Sequence, residues 1–315
     1  MQDSPNGFET PMLGLETPEW LAKLEEIAGE DGYYQPLGPR HHAVMVEEKP
    51  ILLVTFESID TIQARGDTGQ PLGFELVREF GWSHLCLLCE EDTWFRDPHV
   101  YAYFDRMIDD GFFEDFQQVV FYGAGPGCAY AAAAFSVSAP GATVITVQPQ
   151  ATLAPRLAGW DKRFAQMRRV SFVDRYGYAP DMIDAADRAF VIYDPRQEKD
   201  AIHAALFARD NVSLLPMPLM GNDIEAALLK MQILFPLLAK AGTGNLTAAD
   251  FYRLARARRT YLPYLDARLR FIESQKRPFL KALLCANVAR RLKAPRYMRK
   301  LDLLEKAARQ GKLAS

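Results

Sequence analysis

The sequence predicts an α/β protein: a mostly parallel sheet with helices on both faces, followed by a C-terminal helical module. Three observations predict it. Short apolar runs alternate with helical patterns over residues 41–243, the rhythm of a parallel sheet covered on both sides. A glycine-rich turn joins one of those runs to an alanine-rich helix in V-V-F-Y-G-A-G-P-G-C-A-Y-A-A-A-A-F, from Val119 to Phe135. From about Leu246 the strand-like runs stop, helix follows helix, and the charge turns sharply basic.

In chain order, residues 1–18 carry Pro and Gly and little periodicity, which predicts a loose arm; 1–40 then form an arm and helix, with helical spacing over Trp20–Ile27 behind a start signal at Thr17-Pro18. His42–Val46, Ile51–Phe56, His84–Leu88, Val119–Tyr122, Thr143–Val147, Phe190–Tyr193 and Val212–Leu215 read as strands. Gly73–Phe80, Pro98–Asp109, Pro126–Val137 and Lys199–Phe207 read as helices between them. The long interval Gln148–Asp187, with helical patterns at Gly159–Arg169 and Asp181–Asp187, is expected to form a lid over the carboxyl edge of the sheet. Residues 244–315 form the helical module, over Ala248–Arg259, Tyr264–Ser274, Pro278–Leu292 and Arg299–Gln310.

A chain of 315 residues with 49% hydrophobic and 24% charged residues has the composition of a globular protein with a large core. The start lacks a basic n-region and an apolar h-region, so no signal peptide is expected. The longest apolar stretch, Ala226–Ala241, is broken by Lys230, Gln232, Pro236 and Lys240, so no transmembrane segment is expected. Four unpatterned cysteines suit reduced thiols and a cytoplasmic protein. Cys86 and Cys89 form a C-x-x-C, but on a strand residues three apart face opposite ways, so no shared metal and no redox pair is expected.

The turn Gly123-Ala124-Gly125-Pro126-Gly127-Cys128 has two readings. One is a phosphate corner, in which glycines admit a pyrophosphate to a helix N-terminus. Against it, two or three strands precede the turn, Cys128 holds the sixth position, and Gln148 and Gln150 stand where an acidic ribose ligand belongs. The other is a nucleophile elbow of the form G-x-S-x-G, with Gly125 in the place of the serine.

On the second reading the chain resembles the α/β-hydrolase superfamily across roughly residues 40–240. The resemblance implies an oxyanion-hole loop over Glu57–Arg65, an elbow at Gly123–Gly127, a triad acid at Asp194 and a triad histidine at the position of Asn222. Only Asp194 has the expected chemistry, since a triad needs a hydroxyl to attack and an imidazole to take its proton. None of the five histidines, His41, His42, His84, His99 and His203, follows the last strand. The expectation is therefore a degenerate triad: a binding or accessory protein for a small-molecule ligand, with Asp194 as the sole catalytic candidate. Glu57, Gly123, Gly125, Gly127 and Asn222 are the binding candidates. No cofactor and no metal are expected.

Two enzyme readings stay open: an atypical esterase or acyltransferase whose nucleophile is Cys128 or Ser58, and a nucleotide-dependent enzyme using the glycine turn. For Cys128, a helix dipole lowering its pKa is the activating device; the plainer readings are a packing thiol and, for Ser58, a cap. Glu57, Asp92, Asp97 and Asp194 all fall at strand ends and are expected to line one crevice beside Trp94, Phe95 and Arg96. The chain also resembles alphaproteobacterial proteins that carry a phosphoadenosine-phosphosulfate-reductase label, but the S-G-G-x-D-S phosphate loop and the E-C-G-x-H motif are missing.

Charge is the last signal. Residues 251–315 hold 18 Lys/Arg against 4 Asp/Glu, leaving 19 and 36 in 1–250. A tail near +14 beside a body near −17 suggests a tail that docks on the body or on a partner protein. Arginine beside aromatics also suits nucleic acid or an anionic membrane surface. The overall pI near 6.0 argues against a dedicated nucleic-acid binder.

Overall fold

A computed structural model describes residues 8, 11–48, 50–65 and 68–310. Residues 1–7, 9 and 10 of the expected loose arm lie outside the described residues, but the rest is not loose: Phe8 and Met12 are buried in the core, packed with Trp20 and Phe74. The chain divides after Phe251 into two compact units.

The first unit is built on an eight-stranded sheet. Its strands are β1 (Gly32–Pro36), β2 (His41–Val46), β3 (Ile51–Ser58), β4 (Ser83–Cys89), β5 (Gln118–Ala124), β6 (Thr143–Val147), β7 (Arg188–Tyr193) and β8 (Val212–Pro216). They lie in the order β1-β2-β4-β3-β5-β6-β7-β8. β2 runs antiparallel to both β1 and β4, and every later pairing is parallel. β2 and β4 are buried along their whole length, which is why they read as continuous apolar runs. The sequence reading missed β1. Its G-Y-Y-Q-P is an edge strand with exposed ends, so it carries neither alternation nor a continuous apolar run.

Helices α1 (Thr17–Asp31), α2 (Ile59–Arg65), α3 (Gly73–Phe80), α4 (Pro98–Asp109) and α5 (Pro126–Phe135) alternate with the early strands. One face of the sheet carries Phe56, Phe95, Phe104 and Phe135, whose rings lie 4.5–6.0 Å apart in a packed cluster. The other face buries Trp20, Leu24, Phe74 and Val77 against Val44, Cys86 and Leu88. Cys86 and Cys89 thus sit on opposite faces, as the strand period requires.

Between β6 and β7 the expected lid is mostly irregular. It holds only the single turns α6 (Pro155–Ala158) and α7 (Ala179–Met182) with short 3-10 pieces. This interval packs beside α5 and the β4–α4 loop, through Tyr130 to the Tyr176 carbonyl and Arg96 to the Ser171 and Arg175 carbonyls. Helices α8 (Glu198–Leu206), α9 (Ile224–Lys230), α10 (Leu234–Gly242) and α11 (Ala248–Leu254) follow. No helix among the described residues is long and apolar enough to cross a membrane.

The second unit contains α12 (Leu262–Ser274), α13 (Pro278–Leu292) and α14 (Pro295–Arg309), which pack together. Ion pairs fix their register: Arg296 to Asp266 at 2.8 Å, and Lys281 and Lys300 to a shared Glu273 at 2.9 and 2.6 Å.

Candidate functional site

The glycine corner sits at the carboxyl end of β5, where open α/β sheets present their ligand sites. Its three glycines have separate physical jobs. A Cβ on Gly123 would lie 2.3 Å from the Cys128 carbonyl oxygen, so only glycine lets α5 pack this tightly on its strand. Gly125 holds φ +83° and ψ 168°, a backbone essentially reserved for glycine, and a Cβ there would meet nothing within 4 Å. Gly127 lies under the Trp94 indole, 3.3 Å from where its Cβ would be.

Pro126 opens α5 at a position proline suits, since its fixed φ is helical and the missing N–H has no intrahelical partner. That same residue follows Gly125, where the sequence reading expects a nucleophile. In an elbow hydrolase the N–H after the nucleophile is one of the two oxyanion donors. Gly125 carries no hydroxyl and Pro126 no N–H. This signal lay open in the sequence.

A pocket of about 100 Å³ opens at the elbow, lined by Ser58, Cys89, Asp92, Trp94, Gly125 and Cys128 among others. A volume of this size admits an acyl-sized group and falls short of a full small-molecule site. A cavity of about 380 Å³ lies at the far edge of the sheet, beside the starts of β5 and β6, where ligands are not expected.

Strain gathers round the elbow. Trp94 and Phe95 both hold φ +53°, and Gln148 holds φ +57°, although none is glycine. The three are buried, and Trp94 is tied down by its indole N–H to the Gln150 side-chain oxygen at 3.1 Å. Such backbone costs on the order of 1–3 kcal/mol per residue and clusters at functional sites.

Asp194 follows β7 directly and is 1% exposed. One carboxylate oxygen accepts from the Arg196 N–H at 2.9 Å and the other from the Gly221 N–H at 2.8 Å. It thereby clasps the loop after β8 to the loop after β7. Asn222, beside Gly221, is exposed.

Glu57 is brought elsewhere. Phe56 faces the aromatic cluster, so Glu57 points through the other face of the sheet and does not line the elbow pocket. Its carboxylate pairs with Arg65 at 2.7 Å and accepts from Thr55 Oγ1 at 2.9 Å and the Leu72 N–H at 3.1 Å. Burial alone would raise this carboxyl, but Arg65 and the neighbouring His84 outweigh it and hold it below its ordinary value. Glu225 and Tyr122 complete the network, with the Tyr122 hydroxyl donating to Glu225 at 2.7 Å.

The expected acidic crevice does not assemble. Of Glu57, Asp92, Asp97 and Asp194, only Asp92 lines the elbow pocket. Asp97 instead caps α4, accepting from the His99 N–H at 2.9 Å. A second buried carboxylate system, unforeseen in the sequence, lies under the lid. Asp161 accepts from Gln150 at 3.1 Å and from His203 Nε2 at 3.3 Å, and pairs with Arg163 at 2.8 Å. Burial would raise its carboxyl, yet the Arg163 bonds pull it to about 2.

The alternative nucleophiles follow their plainer sequence readings, a packing thiol and a cap. The Cys128 thiol is pushed well above its ordinary pKa by its hydrogen bond with Cys89 and by burial, the opposite of what a nucleophile at this place would need. Ser58 Oγ accepts from the Thr61 N–H at 3.2 Å, the pattern of a cap on α2. Gln148 and Gln150 are tied to Asp200 and Asp161 at 3.1 Å each.

Among the described residues, only Glu57, His84 and Cys86 place three ligand-type atoms within 4.8 Å of one another. They do not fit a metal well. Glu57 is already engaged by Arg65, Thr55 and Leu72, and the buried guanidinium would repel a cation.

The strand order, the antiparallel β2 and the elbow after β5 together decide the architecture. The chain has an α/β-hydrolase fold. No family model and no curated protein matches it. Solved structures with similar architecture include Est1E from Butyrivibrio proteoclasticus, at 14% identity and TM-score 0.42, covering 66% of this chain and 98% of that one. The capsule O-acetyltransferase of Neisseria meningitidis serogroup A gives 12% identity and TM-score 0.40, covering 66% and 94%. The thermophilic carboxylesterase EstE1 from a metagenomic library gives 12% and 0.39, covering 75% and 98%.

Proposed function

We propose that this α/β-hydrolase-fold chain is a non-catalytic binding or accessory protein, with a degenerate triad and a small elbow pocket that takes an acyl-sized group of a ligand. The observation that carries this reading is the pair Gly125-Pro126, which supplies neither an attacking hydroxyl nor the adjoining oxyanion N–H. Asn222 at the histidine position removes the base. Asp194 remains, but both its oxygens serve backbone N–H groups of two loops. Triad members act as a unit, so loss of nucleophile and base costs a thousandfold or more in rate, by order of magnitude.

The strained Trp94, Phe95 and Gln148 support retention of a ligand pocket, since unpurposed strain of that kind is a standing cost. The raised Cys128 thiol and the capping Ser58 speak against a substitute nucleophile. The engaged Gln148 and Gln150 speak against the nucleotide reading. On this reading 244–315 are a separate basic module attached to the hydrolase-like domain.

The test is turnover of short-chain p-nitrophenyl esters by the purified protein and by Asp194→Asn. The expected result is no rate above buffer for either. A wild-type rate that collapses in Asp194→Asn would mean a working site and would overturn the proposal.

A further inference from the structure

The surface of the helical unit beyond Phe251 combines two features. The first is charge. Residues 252–315 carry 18 Lys/Arg and 4 Asp/Glu. Two of the four acids, Asp266 and Glu273, are already shared among Arg296, Lys281 and Lys300. Lys276, Arg277, Arg290, Arg299, Lys306 and Arg309 are exposed.

The second feature is exposed apolar side chains among those cations. Phe279 is 72% exposed, Leu283 51% and Leu303 66%. Phe279 and Leu283 are four residues apart on α13 and share one helix face, with Leu280 beside them. Leu303 is exposed on α14, the helix packed against α13. Phe279, Leu280 and Leu283 thus lie in the first turns of α13, with Lys276 and Arg277 just before it.

We infer that the α13–α14 hairpin is a docking surface for anionic lipid bilayers. Lys and Arg would engage the headgroups while Phe279, Leu283 and Leu303 enter the headgroup–acyl boundary. Nucleic acid would use the arginines and could stack Phe279, but it offers nothing to the exposed leucines. A second copy of the same surface would bring like charges together.

The experiment is co-sedimentation of the full chain with vesicles of equal parts phosphatidylcholine and phosphatidylglycerol, beside vesicles of phosphatidylcholine alone. Variants are Phe279→Ser/Leu283→Ser, Leu303→Ser and Lys276→Glu/Arg277→Glu, each checked for an unchanged melting temperature. The expected result is binding to the anionic vesicles only, weakened at least about tenfold by the Phe279/Leu283 pair and also by the charge reversals. Leu303→Ser, on the other helix, is expected to weaken it in the same direction. Absence of binding to anionic vesicles at low salt would overturn the inference. So would binding untouched by both apolar variants, or single-stranded RNA displacing the vesicles with the apolar variants indifferent; that last result would indicate a polyanion site.

Discussion

The Asp194 carboxylate accepts the Gly221 N–H at 2.8 Å, joining the loop after β7 to the loop after β8. On the proposed reading, the acid at this place would orient a histidine on the second loop of a working hydrolase. Here it holds the loop backbone directly. Asp194→Ala is expected to destabilise the protein by about 1–3 kcal/mol, the cost of stranding buried donors. Urea unfolding measures it, and Asp194→Asn, which keeps one acceptor oxygen, is expected to lose less.

The Glu57–Arg65 pair predicts a sharper asymmetry. Arg65→Met leaves a buried carboxylate without its partner and is expected to cost about 3–5 kcal/mol. Adding Glu57→Gln should recover much of that loss. A double-mutant cycle by urea unfolding gives the coupling, and near-additive losses would contradict the network described for these residues.

Three buried histidines set the acid limit. Burial lowers His41, His84 and His203 each to about 4, against an ordinary 6.5. The unfolded chain therefore takes up protons between those values while the native chain does not, so stability falls as pH drops from 6.5 toward 4. The loss is on the order of several kcal/mol for the three together. Melting temperature is expected to decline steadily across that window and change little between pH 7 and 8.

Thiol reactivity gives a fourth check. All four cysteines are free, Cys86 and Cys89 are buried, and burial raises Cys86 and Cys285 above the ordinary thiol value. The Cys128 thiol is raised further by its hydrogen bond with Cys89. Titration with a disulfide reagent at pH 7 is expected to modify less than one thiol per native chain rapidly, and all four after denaturation. Rapid modification of Cys128 would indicate an activated thiol at the elbow.

Much of the sheet was legible because buried parallel strands are short apolar runs with plain boundaries; β6 and helices α3, α4 and α13 fall where the periodicity puts them. Asp194 and the elbow were legible because each sits at a strand end that the pattern itself marks. Glu57 was placed at the right strand end but assigned to the wrong face. Its partner Arg65 lies one helix away, and only the packing of α2 brings it back. The Asp161–Arg163–His203 system joins the lid to α8, a contact between segments about 40 residues apart that no local spacing records. The lid looked helical because its apolar residues recur at helical intervals, yet the segment is spent on covering Trp94 and Tyr130 and forms single turns instead.

The most direct test of the central claim, that the elbow carries no nucleophile, is covalent capture, because it does not depend on choosing the right ester. The protein would be incubated with an alkyl fluorophosphonate and with p-nitrophenyl acetate, and its intact mass measured beside Gly125→Ser. The account predicts an unmodified wild-type mass with both reagents. A stoichiometric adduct on the wild type, mapped by peptide sequencing to Ser58, Cys128 or any other residue lining the elbow pocket, would contradict it.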